Sequence, residues 1–205
     1  MEKNLLPPES PIPPRIVKGA IVALNPNTGV PETPFLIFQY NPATLTHTTY
    51  TLNSEEAAQT EGKQSNITTL VEQINLTLEF DLADHLEHPN QHRVSLDHGL
   101  HPTLAALESI MHSQSTSENP NPSLILFIWG NHRLLLVSLE TLKVVEEAFD
   151  PELNPIRAKI ELDMRVRDFS EFKEGSIGYA ILRGHLERRR ALTQLLYEQS
   201  GINPE

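Results

Sequence analysis

Apolar and charged residues alternate without a miss from Arg157 to Arg167. Arg157, Lys159, Glu161, Asp163, Arg165 and Arg167 hold one set of positions; Ala158, Ile160, Leu162, Met164 and Val166 hold the other. A period of two puts the sets on opposite faces of a pleated strand. The pattern recurs from Glu72 to Leu82, where Ile74, Leu76, Leu78, Phe80 and Leu82 oppose Asn75, Thr77, Glu79 and Asp81. Burying five such apolar side chains is worth on the order of 8–15 kcal/mol before chain entropy is set against it, so that face must cover a core.

Other segments are shorter. The uniformly apolar run Leu124–Trp129 suits a central strand buried on both faces. From Leu134 to Phe149 two periods compete: Leu135, Leu139, Leu142, Val145 and Phe149 fit a helical stripe, whereas Val137, Leu139 and Thr141 alternate. The strand reading is preferred because the segment after Asp150–Pro155 is extended and the two can form one long hairpin. Upstream, a first strand is expected over Arg15–Leu24, with turn chemistry at Asn25–Gly29. A second, FLIFQY, follows Pro34 and closes at Asn41-Pro42. A third covers Leu45–Leu52, whose threonines favour extended backbone. His101-Pro102 opens a helix with Pro in its first turn, carrying Leu104, Leu107 and Met111 and stopping before Gln114. A second helix runs from about Ser176 to Gln199, with Gly201 placed as a cap.

The expected fold is α+β and mainly β: an antiparallel β-sandwich or open barrel with one flanking helix and a C-terminal helix. Residues 1–13 read as a flexible Pro-rich arm. Residues 14–170 form the β domain, with long loops at 53–66 and 84–99, and 171–205 a helical extension.

Composition narrows the function. Sixteen prolines against nine glycines make for stiff loops. The absence of cysteine excludes disulfides and thiolate metal sites. A net charge of −11 argues against nucleic acid as a partner, since phosphate contacts need a basic surface. Arg188-Arg189-Arg190, beside Glu187, therefore reads as a solvated helix face or a subunit contact. The start, MEKNLLPPESPIPP, has neither the basic opening nor the apolar core of a signal peptide, and no segment approaches the ~20 apolar residues of a span. A soluble, cytoplasmic chain without direct membrane insertion is expected.

Histidines cluster between Asp84 and His101. His85, His88, His92 and His98 are the candidate metal ligands, since imidazole beside carboxylate suits zinc, nickel or copper. They sit in a Pro- and Asn-containing stretch with no firm element to fix their geometry, so no metal and no cofactor is expected. No nucleophile elbow, Walker loop, dinucleotide fingerprint or H-E-x-x-H occurs. Glu146 and Glu147 are adjacent in a strand and face opposite ways, which suits acid–base catalysis poorly.

Three motifs carry a resemblance: FQYNP at Phe38–Pro42, ILFIWG at Ile125–Gly130, and EEAFDPELNPIRAKIEL at Glu146–Leu162. Together they resemble the tube-protein family of contractile injection systems, which are phage-tail-like particles, over roughly Pro14 to Phe169. The resemblance implies a tail-tube-type β domain assembled as a hexameric ring, with no catalytic activity. It also implies a place as tube initiator or hub adaptor, with the spike hub, inner tube subunits and baseplate proteins as partners. The LysM module that often follows this domain in related proteins is not expected after the single last helix. Assembly contacts are expected at the FQYNP turn (Phe38, Asn41, Pro42), at Trp129, and around the hairpin (Glu146, Glu147, Asp150, Asn154, Arg157). Two alternatives stand beside this reading: a metal-dependent enzyme using residues 84–101, and a small monomeric binding adaptor.

Overall fold

The computed structural model describes residues 16–32, 36–53, 68–83, 93–114 and 122–200. The Pro-rich arm, most of the 53–66 loop, His85, His88, His92 and Gly201 lie outside these. In chain order the elements are β1 (Ala20–Leu24), β2 (Leu36–Ile37), β3 (Leu45–Asn53), β4 (Thr68–Asp81), α1 (Arg93–His98), α2 (His101–Ser113), β5 (Leu124–Trp129), β6 (Arg133–Phe149), β7 (Pro155–Val166), a 3₁₀ turn (Phe169–Glu171) and α3 (Ile177–Ser200). The strands form one antiparallel sheet in the order β2-β1-β5-β6-β7-β4-β3. The fold is mainly-β α+β, as the alternation predicts.

This single sheet curls on itself as an open barrel. Gln39, just past β2 at one side of the sheet, reaches Asp81 at the end of β4, near the other side. Its Nε2 donates to the Asp81 carbonyl at 2.5 Å and its Oε1 accepts from the Asp81 N–H at 2.9 Å. The curl lets the inner faces of distant strands share one core: Ile21, Phe38, Ile74, Leu78, Phe127 and Ile160 pack together, and Leu104, Leu107 and Ile110 of α2 plug it. On the outer side α3 lays Ile177, Ile181 and Leu182 over Val22, Leu24, Leu124 and Leu136. That double cover explains why β5 is apolar on both faces. A second glutamine repeats the Gln39 device. Gln114, at the end of α2, donates to the Leu139 carbonyl at 2.6 Å and accepts from the Leu139 N–H at 2.9 Å, tying the plug helix to β6.

The β6–β7 hairpin forms as expected, and the register explains the rival helical stripe. Leu139 faces Met164 and Leu142 faces Leu162, with a bulge between them. One extra residue converts two-residue spacing into three, so a bulged strand imitates a helix in sequence.

Three expectations are corrected. Strand β1 begins at Ala20, not Arg15, and β2 pairs only through Leu36 and Ile37 rather than all of FLIFQY. The chain there leaves the sheet to pack: Phe38 turns into the core, and a Cβ on Gly19 would lie 2.7 Å from its ring and 2.9 Å from Trp129. Residues 84–99 are not all loop, because Arg93–His98 form α1. Gly99 ends that helix at φ 56°, a conformation glycine adopts freely, with its N–H on the Ser95 carbonyl at 2.9 Å.

Candidate assembly interface

The outer face of β4, β7 and distal β6 is salted rather than covered. Lys143 meets Glu161 at 2.9 Å, Lys159 meets Glu147 at 2.9 Å, and Arg157 meets Asp81 at 2.6 Å. Beneath it Ala158, Ile160, Leu162 and Met164 are completely buried. The Ala83 N–H first, and then Arg157, hold the Asp81 carboxyl below its usual range. At the base of β7, burial pushes the Glu171 carboxyl up, but hydrogen bonds from Arg165 and Arg167, each at 2.9 Å, outweigh it and leave the group below its usual range.

Toward the tip, β6 outruns the core. Lys143, Val145, Glu146, Glu147 and Phe149 are all exposed, so both faces of the ribbon reach solvent. The turn itself is rigid. Asn154 donates its N–H and its side-chain amide to the two Asp150 carboxylate oxygens, both at 2.8 Å, and the Asp150 N–H reaches the Asn154 carbonyl at 3.0 Å. The side-chain bond is the main reason the Asp150 carboxyl titrates below its usual range. These bonds hold Leu153 at φ 66°, a strained conformation for a bulky residue, with 76% of its surface exposed.

The FQYNP turn divides by depth. Phe38 is wholly buried, its ring 6.5 Å from both Phe127 and half-buried Trp129. Asn41 accepts from the Gly19 N–H at 2.9 Å and donates to the Val17 carbonyl at 2.8 Å, fixing the approach to β1. Tyr40 is exposed and Pro42 half-buried.

The sequence of the edge strand β3, LTHTTYTLN, carries no lysine, proline or glycine. All nine residues pair with β4 on one side, and among the described residues no strand pairs on the other. Natural edges are usually blunted by charge, proline or brevity, and β3 has none of these.

One surface went unrecognised in the sequence. The far half of α3 meets the start of β6 and the faces of β3 and β4. Arg189 binds Glu72 at 3.0 Å, and Glu72 also meets His47 at 3.2 Å. His185 lies against them with its Nδ1 buried and unpartnered. Burial first, then Arg189, lowers its pKa against the opposing pull of Glu72. The triple arginine was the available signal. Its partners lie more than a hundred residues away in sequence, so no local pattern could name them.

His98 is exposed at the end of α1, and among the described residues no three His, Asp or Glu side chains gather as a metal set. No helix among these residues is long and apolar enough to cross a membrane.

No curated protein matches the chain. The model of the family described as contractile injection system tube protein matches residues 16–174, from the first described residue through the whole sheet to the approach of α3. The curled antiparallel sheet and a match over most of its length give one answer: the chain belongs to the contractile injection system tube protein family, a family of structural tube components.

Proposed function

We propose that the chain is a hexameric tube-initiator or hub-adaptor ring that joins spike hub, inner tube and baseplate, assembled in the cytoplasm and acting by geometry rather than catalysis. The observation that carries this reading is the unblunted edge of β3. A nine-residue strand with open N–H and C=O groups invites a neighbouring subunit to extend the sheet. At the opposite edge β2 offers only two paired residues, so the contact would be head-to-tail, the kind that closes into rings. The salted face of β4 and β7 suits a water-filled lumen or a polar neighbour, and the acidic charge disfavours a nucleic-acid cargo.

In this reading residues 14–170 form the ring body and 171–205 an extension. Asn41, Pro42, Trp129, Glu146, Glu147, Asp150, Asn154 and Arg157 serve as contacts, with Phe38 supporting the turn from within. The test is imaging of particles made by co-expression with the spike hub protein. Sixfold rings are expected from the native chain and none from Thr48→Lys/Tyr50→Lys, which charges the β3 edge while leaving the melting midpoint of the subunit nearly unchanged. Sixfold rings from the charged variant, or no ring from the native chain, would overturn it.

A further inference from the structure

Helix α3 begins beyond the residues shared with the family, yet it builds a pocket. The pocket, of about 400 Å³, is lined by His132 and Arg133 from the turn before β6 and the start of the strand, by His47 of β3, and by His185, Arg189 and Leu192 of α3. In a chain of net charge −11 this is a concentration of cationic and imidazole groups. Glu72 and Arg189 pair with each other, with His47 also on Glu72, so the charge left for a partner is that of Arg133. Arg133 makes no ion pair among the described residues. Leu192 is part of the lining, and Leu195, three residues further along α3, leaves 59% of its surface open.

The same strand that starts in this pocket ends in its chemical opposite. The hairpin tip presents Glu146 and Glu152, neither in an ion pair among the described residues, around the exposed side chains of Phe149 and Leu153. Leu153 is held outward in a strained backbone, which the protein tolerates where surrounding bonds enforce it. The 17 residues of β6 put the two ends roughly 55 Å apart. A copy cannot bring them together within itself.

We propose that the acidic, apolar tip of one copy docks in the basic cleft beside α3 of a second copy. Phe149 and Leu153 lie on Leu192 and Leu195, and Glu146 and Glu152 face Arg133 and His132. Both complementary surfaces belong to one chain, which favours a second copy over a foreign acidic protein as the occupant. The contact is heterologous: it closes if successive rotations complete a circle and otherwise runs on as a filament. It deepens the ring reading and rests on it only in taking the chain to self-assemble.

The absence of native cysteine makes the test clean. Full-length Glu152→Cys and His132→Cys are prepared separately, mixed, and oxidised, with Lys143→Cys, from the middle of β6, replacing His132→Cys as control. The tip–cleft mixture is expected to give about ten-fold more disulfide dimer than the control. Arg133→Glu in the cleft copy should remove that excess, and Glu146→Arg in the tip copy should restore it. Melting curves check that each variant folds. A dimer yield no higher than the control overturns the proposal, as does one indifferent to Arg133→Glu. Capture of a synthetic acidic peptide by the cleft without tip–cleft dimers would also overturn it, since the occupant would then be foreign. The two readings fail separately. Absence of sixfold rings with the crosslink intact defeats only the ring, and rings that persist without the crosslink defeat only this docking.

Discussion

The first and last thirds of β6 belong to one strand but to different environments. Near its start, Leu135, Leu136 and Val137 are buried in succession, because α2 fills the sheet from inside and α3 covers it from outside. Beyond the bulge after Leu139 the cover thins, and Leu142 and Val144 are only partly buried against the core. From Val145 to Phe149 charged and apolar side chains stand exposed on both faces. Stability is therefore concentrated in the doubly covered half, and the projecting half is held by the sheet ladder and a rigid turn. The ribbon tip thus leaves Val145, Phe149 and Leu153 exposed, apolar residues that the subunit's own core does not cover.

That contrast can be broken first with two phenylalanines. Phe127, completely buried, should cost about 3–5 kcal/mol as Phe127→Ala, whereas Phe149→Ala should stay within about 1 kcal/mol. Urea unfolding of both variants measures the difference, and equal costs would mean that the tip belongs to the core. Closure of the sheet comes next. Gln39→Ala removes both bonds to the Asp81 backbone and should cost about 1–3 kcal/mol. The loss should appear as faster amide exchange at Asp81, with β5 still protected; unchanged exchange at Asp81 would mean the curl does not depend on this clamp.

The smallest effect concerns His185. Its folded pKa lies below the ordinary 6.5, so below that value the unfolded chain binds a proton that the folded chain resists. The stability it supplies is complete above 6.5, falls as pH drops, and levels off below the folded pKa. Arg188, Arg189 and His47 oppose the proton and Glu72 favours it. Thermal melts of the native chain should show this acid loss, and His185→Gln should flatten it. Asp81 and Glu171 also lose stabilisation in acid, but below their ordinary values of 3.8 and 4.5, so the windows separate. A native-like acid slope in His185→Gln would assign the effect elsewhere.

Much of the fold was legible because its signals are local. The alternation in β4 and β7, the apolar run of β5 and the Pro-started α2 each lie within a window of a dozen residues or so, and each formed there, with β4 starting four residues earlier, at Thr68. The short β2 and the late start of β1 were not legible, because β propensity says nothing about Phe38 leaving the sheet to pack against Trp129. The helical look of β6 came from a bulge, which changes spacing without changing composition. As for the candidate surfaces, the hairpin could be read from its turn residues. The cleft beside α3 could not, since His47, Glu72, Arg133 and Arg189 meet only after the barrel has curled.

In β4 and β7 sequence alone determined which residues face a core and which face water, because side-chain direction along a strand follows from chain geometry. It also determined the acidic balance of the chain, a net charge of −11. Only the tertiary structure decided which face of the sheet each helix covers, where the ribbon outruns its core, and how acid and base separate to opposite ends of β6. Those outcomes depend on contacts between residues remote in the chain, and such contacts exist only once a single sheet has closed around α2.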